Sequence, residues 1–168
     1  MATTIDTQSS QITLSCGSVV LIDVCDIHLS ASRKWRFRRS GGVRSYEYVT
    51  ANTDAKQLFL HREIMCASPG QVVDHINEDR LDNRRANLRF VTLTQNMRNR
   101  KKHSSGVSSR FKGVCSTKSR RWKAFIRNGE KQLYLGTFDN ESEAAYAYDM
   151  ASLQLHGEFG RRNFLPLC

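Results

Sequence analysis

Apolar and polar positions alternate along much of the first fifty residues. Ile12 and Leu14 stand on alternate sites of a polar stretch, 19–22 is a short apolar run, and Trp35 and Phe37 alternate with Arg36 and Arg38. Tyr46, Tyr48 and Val49 follow after Ser40-Gly41-Gly42. This period of two predicts strands from Gln11 to about residue 50, with a hairpin turn at the glycine pair. Residues 1–10 are polar and without period, as expected of a frayed terminus. The run 58–65 predicts a short helix, ended by Ser68-Pro69-Gly70. Val72 and Val73 predict a strand, 76–86 a polar charged loop, and Leu88, Phe90 and Val91 a second strand. A helix follows, with Thr92-Leu93-Thr94-Gln95 as its capping box.

The basic stretch 98–106, containing Ser and Gly, reads as a linker. Beyond it, 111–114, 122–127 and 132–135 predict three strands, with turns at 118–121 and at Asn128-Gly129. Asn140-Glu141-Ser142-Glu143 then caps a helix in which Ala144, Tyr148, Ala151 and Leu155 share one face. The small alanines let this helix lie close to the sheet. Trp35 and Trp122 each precede a turn glycine, Gly42 and Gly129, by seven residues, a weak echo of two similar hairpins. The expected architecture is α+β in three parts: a strand-rich N-terminal β-hairpin region (1–57), a strand–loop–strand–helix module (58–102), and a three-stranded antiparallel sheet plus one helix (103–168).

Composition narrows the function classes. Of 168 residues 39% are hydrophobic, so an ordinary core is possible, and no apolar run approaches the roughly 20 residues of a membrane-spanning helix. Nothing before 19–22 reads as a basic leader, so a secreted protein is not expected. Lys and Arg number 26 against 16 acids, a net charge of +10. The excess is distributed, +2 in 1–59, +4 in 60–104 and +4 in 105–168. A spread positive field on a small protein points to a polyanion, most often nucleic acid. Five scattered cysteines with no Cys-x-x-Cys pair suggest a reducing compartment, with most thiols serving as small core residues and no structural zinc site.

The chemistry concentrates in 74–96. Val73-Asp74-His75-Ile76-Asn77 sets an acid and an imidazole side by side at a strand end, with Asn87 and Asn96 following. If the two strands form a hairpin packed on the next helix, Asp74 and Asn96 face one another from two elements. A carboxylate and an amide carbonyl are hard oxygen donors that suit Mg²⁺ or Mn²⁺. Neighbouring strand residues point to opposite sides, so His75 is expected away from Asp74, free to act as a base with an ordinary pKa near 6.5. Taken singly, an Asp-His pair is an exposed turn, Asn87 a turn residue and Asn96 an ordinary helix residue.

The ordered set Leu60-His61-Arg62-Glu63-Ile64, 73–92 and Gln95-Asn96-Met97-Arg98-Asn99 resembles the HNH endonucleases of homing type, common in phages, introns and mobile elements. The resemblance implies a ββα-metal fold, His75 as general base, and Asp74 and Asn96 binding one divalent ion, Mg²⁺ or Mn²⁺. It implies that Asn87 holds the loop and strands together and orients His75. The family often has histidine as its last ligand; Asn96 stands there in this chain, as in one homing subgroup, which disfavours zinc. His61 reads as a packing or phosphate-touching residue, and Asn99 as a helper or a solvated cap.

A second set, running from Arg110-Phe111-Lys112-Gly113-Val114 through Arg121-Trp122-Lys123-Ala124-Phe125 to Arg162-Asn163-Phe164, resembles the AP2/ERF DNA-binding domain. What this implies is a sheet entering the major groove with the helix behind it. Carried over by position, the face would include Cys115, Thr117, Ser119, Phe125, Arg127, Gln132 and Tyr134. Lys112, Lys118, Arg120, Arg121 and Lys123 would add phosphate-binding charge. Cys115, Thr117 and Ser119 cannot replace an arginine fork, so the plant family's target preference is not expected here.

The expected function is a metal-dependent endonuclease acting on double-stranded DNA in the cytoplasm of a bacterial or phage-infected cell, with no membrane and no obligate protein partner. The rival is a non-catalytic DNA-binding regulator carrying an AP2 domain. An RNA-binding module lacks the aromatic pattern it needs. Target sequence, nick versus double-strand break, and oligomeric state are not legible.

Overall fold

The computed structural model describes residues 9–39, 47–102 and 108–164. They fall into two compact units, Met1–Thr92 and Leu93–Cys168. The architecture is α+β, with four small antiparallel sheets and four helices among the described residues.

In the first unit, β1 (Ser9–Thr13) pairs with β2 (Val19–Asp23) as a hairpin, so the expected frayed end already holds strand residues at Ser9 and Ser10. The strand-like reading then breaks. Val24–Asp26 forms a 3₁₀ turn and α1 (His28–Ser32) a short helix. Ser30 and Ser32 bond back to the carbonyls of Ile27 and Leu29 there, a local alternative to a strand ladder. β3 (Arg36–Arg39), β4 (Glu47–Asn52) and β5 (Gln57–Phe59) form the next sheet. The expected turn at 40–42 and Tyr46 lie outside the described residues.

The helix expected over 58–65 starts later, because Leu58 and Phe59 pair with Ala51 and Thr50 of β4; α2 is Leu60–Ile64. β6 (Val72–His75) and β7 (Leu88–Val91) form the hairpin that carries the chemistry. One core of Leu14, Val20, Ile22, Trp35, Val49, Ala51, Leu58, Leu60, Ile64, Val73 and Leu88 is shared by β2, β4, β5, α2, β6 and β7, with Ile12, Leu29 and Phe37 packed against it.

The second unit holds α3 (Leu93–Asn99), β8 (Val114–Ser116), β9 (Trp122–Asn128), β10 (Lys131–Phe138) and α4 (Glu141–His156). The sheet order is β10-β9-β8. β8 begins three residues later than the pattern suggests, because Gly113 turns the chain at φ +76°. A Cβ there would lie 2.0 Å from Tyr148 Cδ2 and 2.6 Å from the Phe125 carbonyl oxygen. Only glycine lets the backbone approach α4 this closely.

The β9–β10 loop is Gly129-Glu130 rather than Asn128-Gly129: Asn128 still pairs with Lys131, and glycine takes the positive φ of the first loop position. Asn140 caps α4 as expected, its Oδ1 accepting from the Ser142 N–H at 2.8 Å. The buried face of α4 is Ala144, Ala145, Tyr148, Asp149, Ser152 and His156, while Leu155 is exposed. Polar residues occupy that face because they find partners: Asp149 accepts the N–H groups of Asn163 and Phe164, and His156 Nε2 contacts the Arg127 carbonyl.

The cysteines depart from the expected core role. Cys16, Cys25 and Cys66 are exposed and Cys115 is half-buried, because the first three fall in turns, which run over the surface. Among the described residues no helix is long and apolar enough to cross a membrane.

Candidate functional site

The β6–β7 register sets Asp74 opposite Arg89 and His75 opposite Leu88 at the loop end of the hairpin. Between the strands the loop is built by its own side chains. Asn77 Oδ1 accepts from the Asp79 N–H (2.8 Å) and Asp79 Oδ1 from the Leu81 N–H (2.9 Å), two successive Asx turns. Asn87 closes the loop: its Nδ2 donates to Asn77 Oδ1 (2.9 Å) and to the Asp82 carbonyl (2.7 Å), and its Oδ1 accepts from the Asn77 N–H (3.0 Å). Asp82 is clamped by Arg84 (2.8 and 2.7 Å) and Asn77 (3.0 Å), and the Arg84 guanidinium holds its carboxyl below the usual carboxylate range.

β2 and the turn after it brace the same loop. The Leu21 N–H donates to the Leu81 carbonyl and the Asn83 N–H to the Leu21 carbonyl, both at 2.8 Å. Arg85 donates its backbone N–H to Asp23 (2.8 Å) and its guanidinium in a fork to Asp26 (2.8 and 2.7 Å).

His75 is fully buried. Its Nε2 lies 3.3 Å from Asn83 Oδ1, an acceptor, so this nitrogen carries the proton. Its Nδ1 lies 2.9 Å from Arg80 Nη1, and a guanidinium can only donate, so Nδ1 presents its lone pair. Asn83, held by its own Nδ2 bond to the Arg80 carbonyl (3.0 Å), touches the imidazole directly. Burial, and then the Arg80 charge, push the His75 pKa down to about 4, below the ordinary value expected from the residue type.

The expected separation of Asp74 from His75 is incomplete, since Arg80 Nη1 also lies 4.0 Å from Asp74 Oδ1. Asp74 Oδ2 lies 3.3 Å from Arg89 Nη2. His61 packs within this cluster, its ring 5.2 Å from that of Tyr48 and 5.1 Å from that of His75. Burial, with His75 and Arg80 nearby, lowers its pKa to about 3.

The structure thus gathers Asp74, His75 and Asn87 around one loop. Asn96 lies half-buried on α3 in the second unit, with Asn99 buried on the same helix. Sequence reading missed Arg80, Asn83, Asp82 and Arg85. A loop rich in Asp, Asn and Arg was visible, but which of its side chains turn inward was not.

In the second unit, strand pairing sets Cys115 beside Lys123, Phe125 beside Tyr134 and Arg127 beside Gln132 on the sheet face away from α4. Ala124 and Ile126 point the other way and are buried. The Phe125 and Tyr134 rings lie 5.4 Å apart, and Lys118, Ser119, Arg120, Lys123 and Arg127 are exposed. Three expected contact residues have internal roles. Lys112 Nζ donates to the carbonyls of Arg98 (2.5 Å) and Arg100 (2.7 Å). Thr117 Oγ1 accepts from the Arg121 N–H, fixing the turn. Arg121 Nε pairs with Asp139 at 2.6 Å.

Comparison with known proteins agrees with both halves. The HNH endonuclease family matches residues 67–98. An uncharacterised HNH endonuclease of Acanthamoeba polyphaga mimivirus is 30% identical over 153 residues, 88% of this chain and 75% of the viral protein. APETALA2-like protein 2 of Oryza sativa is 46% identical over 61 residues, 35% of this chain but only 14% of the plant protein. An ethylene-responsive transcription factor of Arabidopsis thaliana is 39% identical over 83 residues, 46% of this chain and 19% of that protein.

Proposed function

The chain belongs to the HNH endonuclease family, and on that premise we propose that it hydrolyses phosphodiester bonds of double-stranded DNA inside the cell, as homing enzymes do. In this reading 58–102 is the nuclease module, and 103–168, the AP2-like sheet and helix, places it on the duplex. The observation that carries the proposal is the His75 imidazole: neutral at physiological pH, proton on Nε2 against Asn83, lone pair on Nδ1.

His75 takes a proton from water at Nδ1. Asn83 holds the tautomer, and Asn87 locks the loop that carries Asn83. The donor chemistry suits a hard divalent ion: the Asp74 carboxylate and the Asn96 amide carbonyl are oxygen ligands, and Mg²⁺ is commonly bound through one or two protein oxygens plus substrate phosphate. Asp74 and Asn96 would hold Mg²⁺ or Mn²⁺, which when bound supplies a Lewis acid for the charge on the phosphate and the leaving 3′-oxygen. The products are 5′-phosphate and 3′-hydroxyl ends. On the sheet face, Lys123 and Arg127 meet phosphates or base edges, and Phe125 and Tyr134 offer flat rings to the groove.

Incubating supercoiled plasmid with the protein and Mg²⁺ or Mn²⁺ tests the proposal. Relaxed or linear product that EDTA suppresses is expected. Tight DNA binding with no cleavage under either metal instead identifies a non-catalytic DNA-binding protein.

A further inference from the structure

A base can work only if its lone pair reaches the water it deprotonates, and in this structure that lone pair is taken. Arg80 Nη1 sits 2.9 Å from His75 Nδ1, while the other ring nitrogen is already held by Asn83. Asn83 already holds the proton-bearing nitrogen, so Arg80 is not needed to set the tautomer. It covers the reactive nitrogen instead. His75 itself has no exposed surface, whereas the Arg80 side chain is 24% exposed, so Arg80 and not His75 meets solvent at this point. It also lies over the Tyr48 ring, 5.2 Å from the centroid, an aromatic shelf along which a flat cation can slide.

The guanidinium–imidazole contact has a neutral acceptor, and the Asp74 carboxylate lies 4.0 Å from the same nitrogen, beyond hydrogen-bond distance. A DNA phosphate offers the same guanidinium an anionic, fork-shaped acceptor, and charge-assisted bonds of that kind are roughly twice as strong as neutral ones. We propose that Arg80 is a phosphate-contacting residue of the site: it caps His75 Nδ1 in the free protein, transfers to a backbone phosphate when DNA binds, and so uncovers the base only in the presence of substrate. This rests on the reading of His75 as the base. It adds a residue that the sequence motif did not single out, and explains how a fully buried histidine becomes accessible.

The test uses the full-length protein with ¹⁵N-labelled histidine, titrated with a short DNA duplex of arbitrary sequence in EDTA, so that nothing is cleaved. The His75 Nδ1 resonance reports whether that nitrogen accepts a hydrogen bond. In the wild type it should move on adding duplex. In Arg80→Met the free protein should already show the moved signal, with no further change on adding DNA. The log–log salt slope of duplex binding should fall by about 0.9 in Arg80→Met, one phosphate contact, and return in Arg80→Lys.

An unmoved Nδ1 signal in the DNA-bound wild type, or an unchanged salt slope in Arg80→Met, overturns the proposal. If Arg80→Met does not fold, the wild-type titration decides by itself. Plasmid nicking by the wild type with Mn²⁺ separates the two ideas. Nicking with an unmoved signal removes only the Arg80 role, whereas absence of nicking removes the nuclease reading on which it rests.

Discussion

Asp74 stands directly across the β6–β7 pair from Arg89, with Oδ2 3.3 Å from Nη2 and both side chains largely withdrawn from water, 2% and 11% exposed. Removing Arg89 leaves the buried Asp74 carboxylate to the longer Arg80 ion pair, at 4.0 Å. Arg89→Met is therefore expected to lower stability by roughly 3–5 kcal/mol. Urea denaturation checks it: the midpoint should fall at constant slope. A loss within a few tenths of a kcal/mol shows that Arg89 does not support Asp74.

Asn87 makes three hydrogen bonds that tie the loop to β7. In Asn87→Ala the Asn77 N–H and the Asp82 carbonyl lose their partner, at a cost of about 1–3 kcal/mol for each buried group left unsatisfied. Hydrogen exchange of the Asn77 amide should quicken with the rest of β6 little changed. Unchanged exchange at Asn77 contradicts the role.

The two buried imidazoles predict acid lability. His61 titrates at about 3 and His75 at about 4 in the folded protein, both well below 6.5. Between those values and 6.5 the unfolded chain binds protons that the folded chain refuses. Their contribution is therefore complete above about pH 6.5 and is lost as the pH falls, by up to about 1.4 kcal/mol per pH unit for each group. Denaturation midpoints measured from pH 7.5 to 4.5 should decline, and His61→Phe should flatten the decline. A flat wild-type profile contradicts this.

On the AP2-like face, Lys123 and Arg127 are exposed on β9, whereas Arg121 is occupied by Asp139. Replacing both Lys123 and Arg127 by Ala should flatten the salt dependence of duplex binding by about 0.9 for each phosphate lost. Arg121→Ala should do less. An equal slope in the double variant and the wild type assigns binding elsewhere.

Local pattern was enough where local physics decides. The alternation at Val72, Val73, Leu88 and Phe90 became β6 and β7, Asn140 became the α4 cap, and Phe125, Arg127, Gln132 and Tyr134 share one sheet face as expected. It failed where distant partners decide. Val24–Asp26 and α1 interrupt the strand-like stretch beside Asp26, which pairs with Arg85 59 positions away. Leu58 and Phe59 extend a sheet because β4 offers them an edge. At the site, residue types pointed to His75, but its depressed pKa and the two side chains that hold its nitrogens come from the folded loop, which no spacing rule describes.

His75 is proposed as the base of a metal-dependent DNA endonuclease. The most direct measurement compares wild type and His75→Ala on supercoiled plasmid with Mg²⁺ or Mn²⁺, alongside duplex affinity. EDTA-sensitive cleavage by the wild type is expected, with a loss of about 10²–10⁴-fold in the variant and duplex affinity retained. Near-normal cleavage by His75→Ala would contradict it.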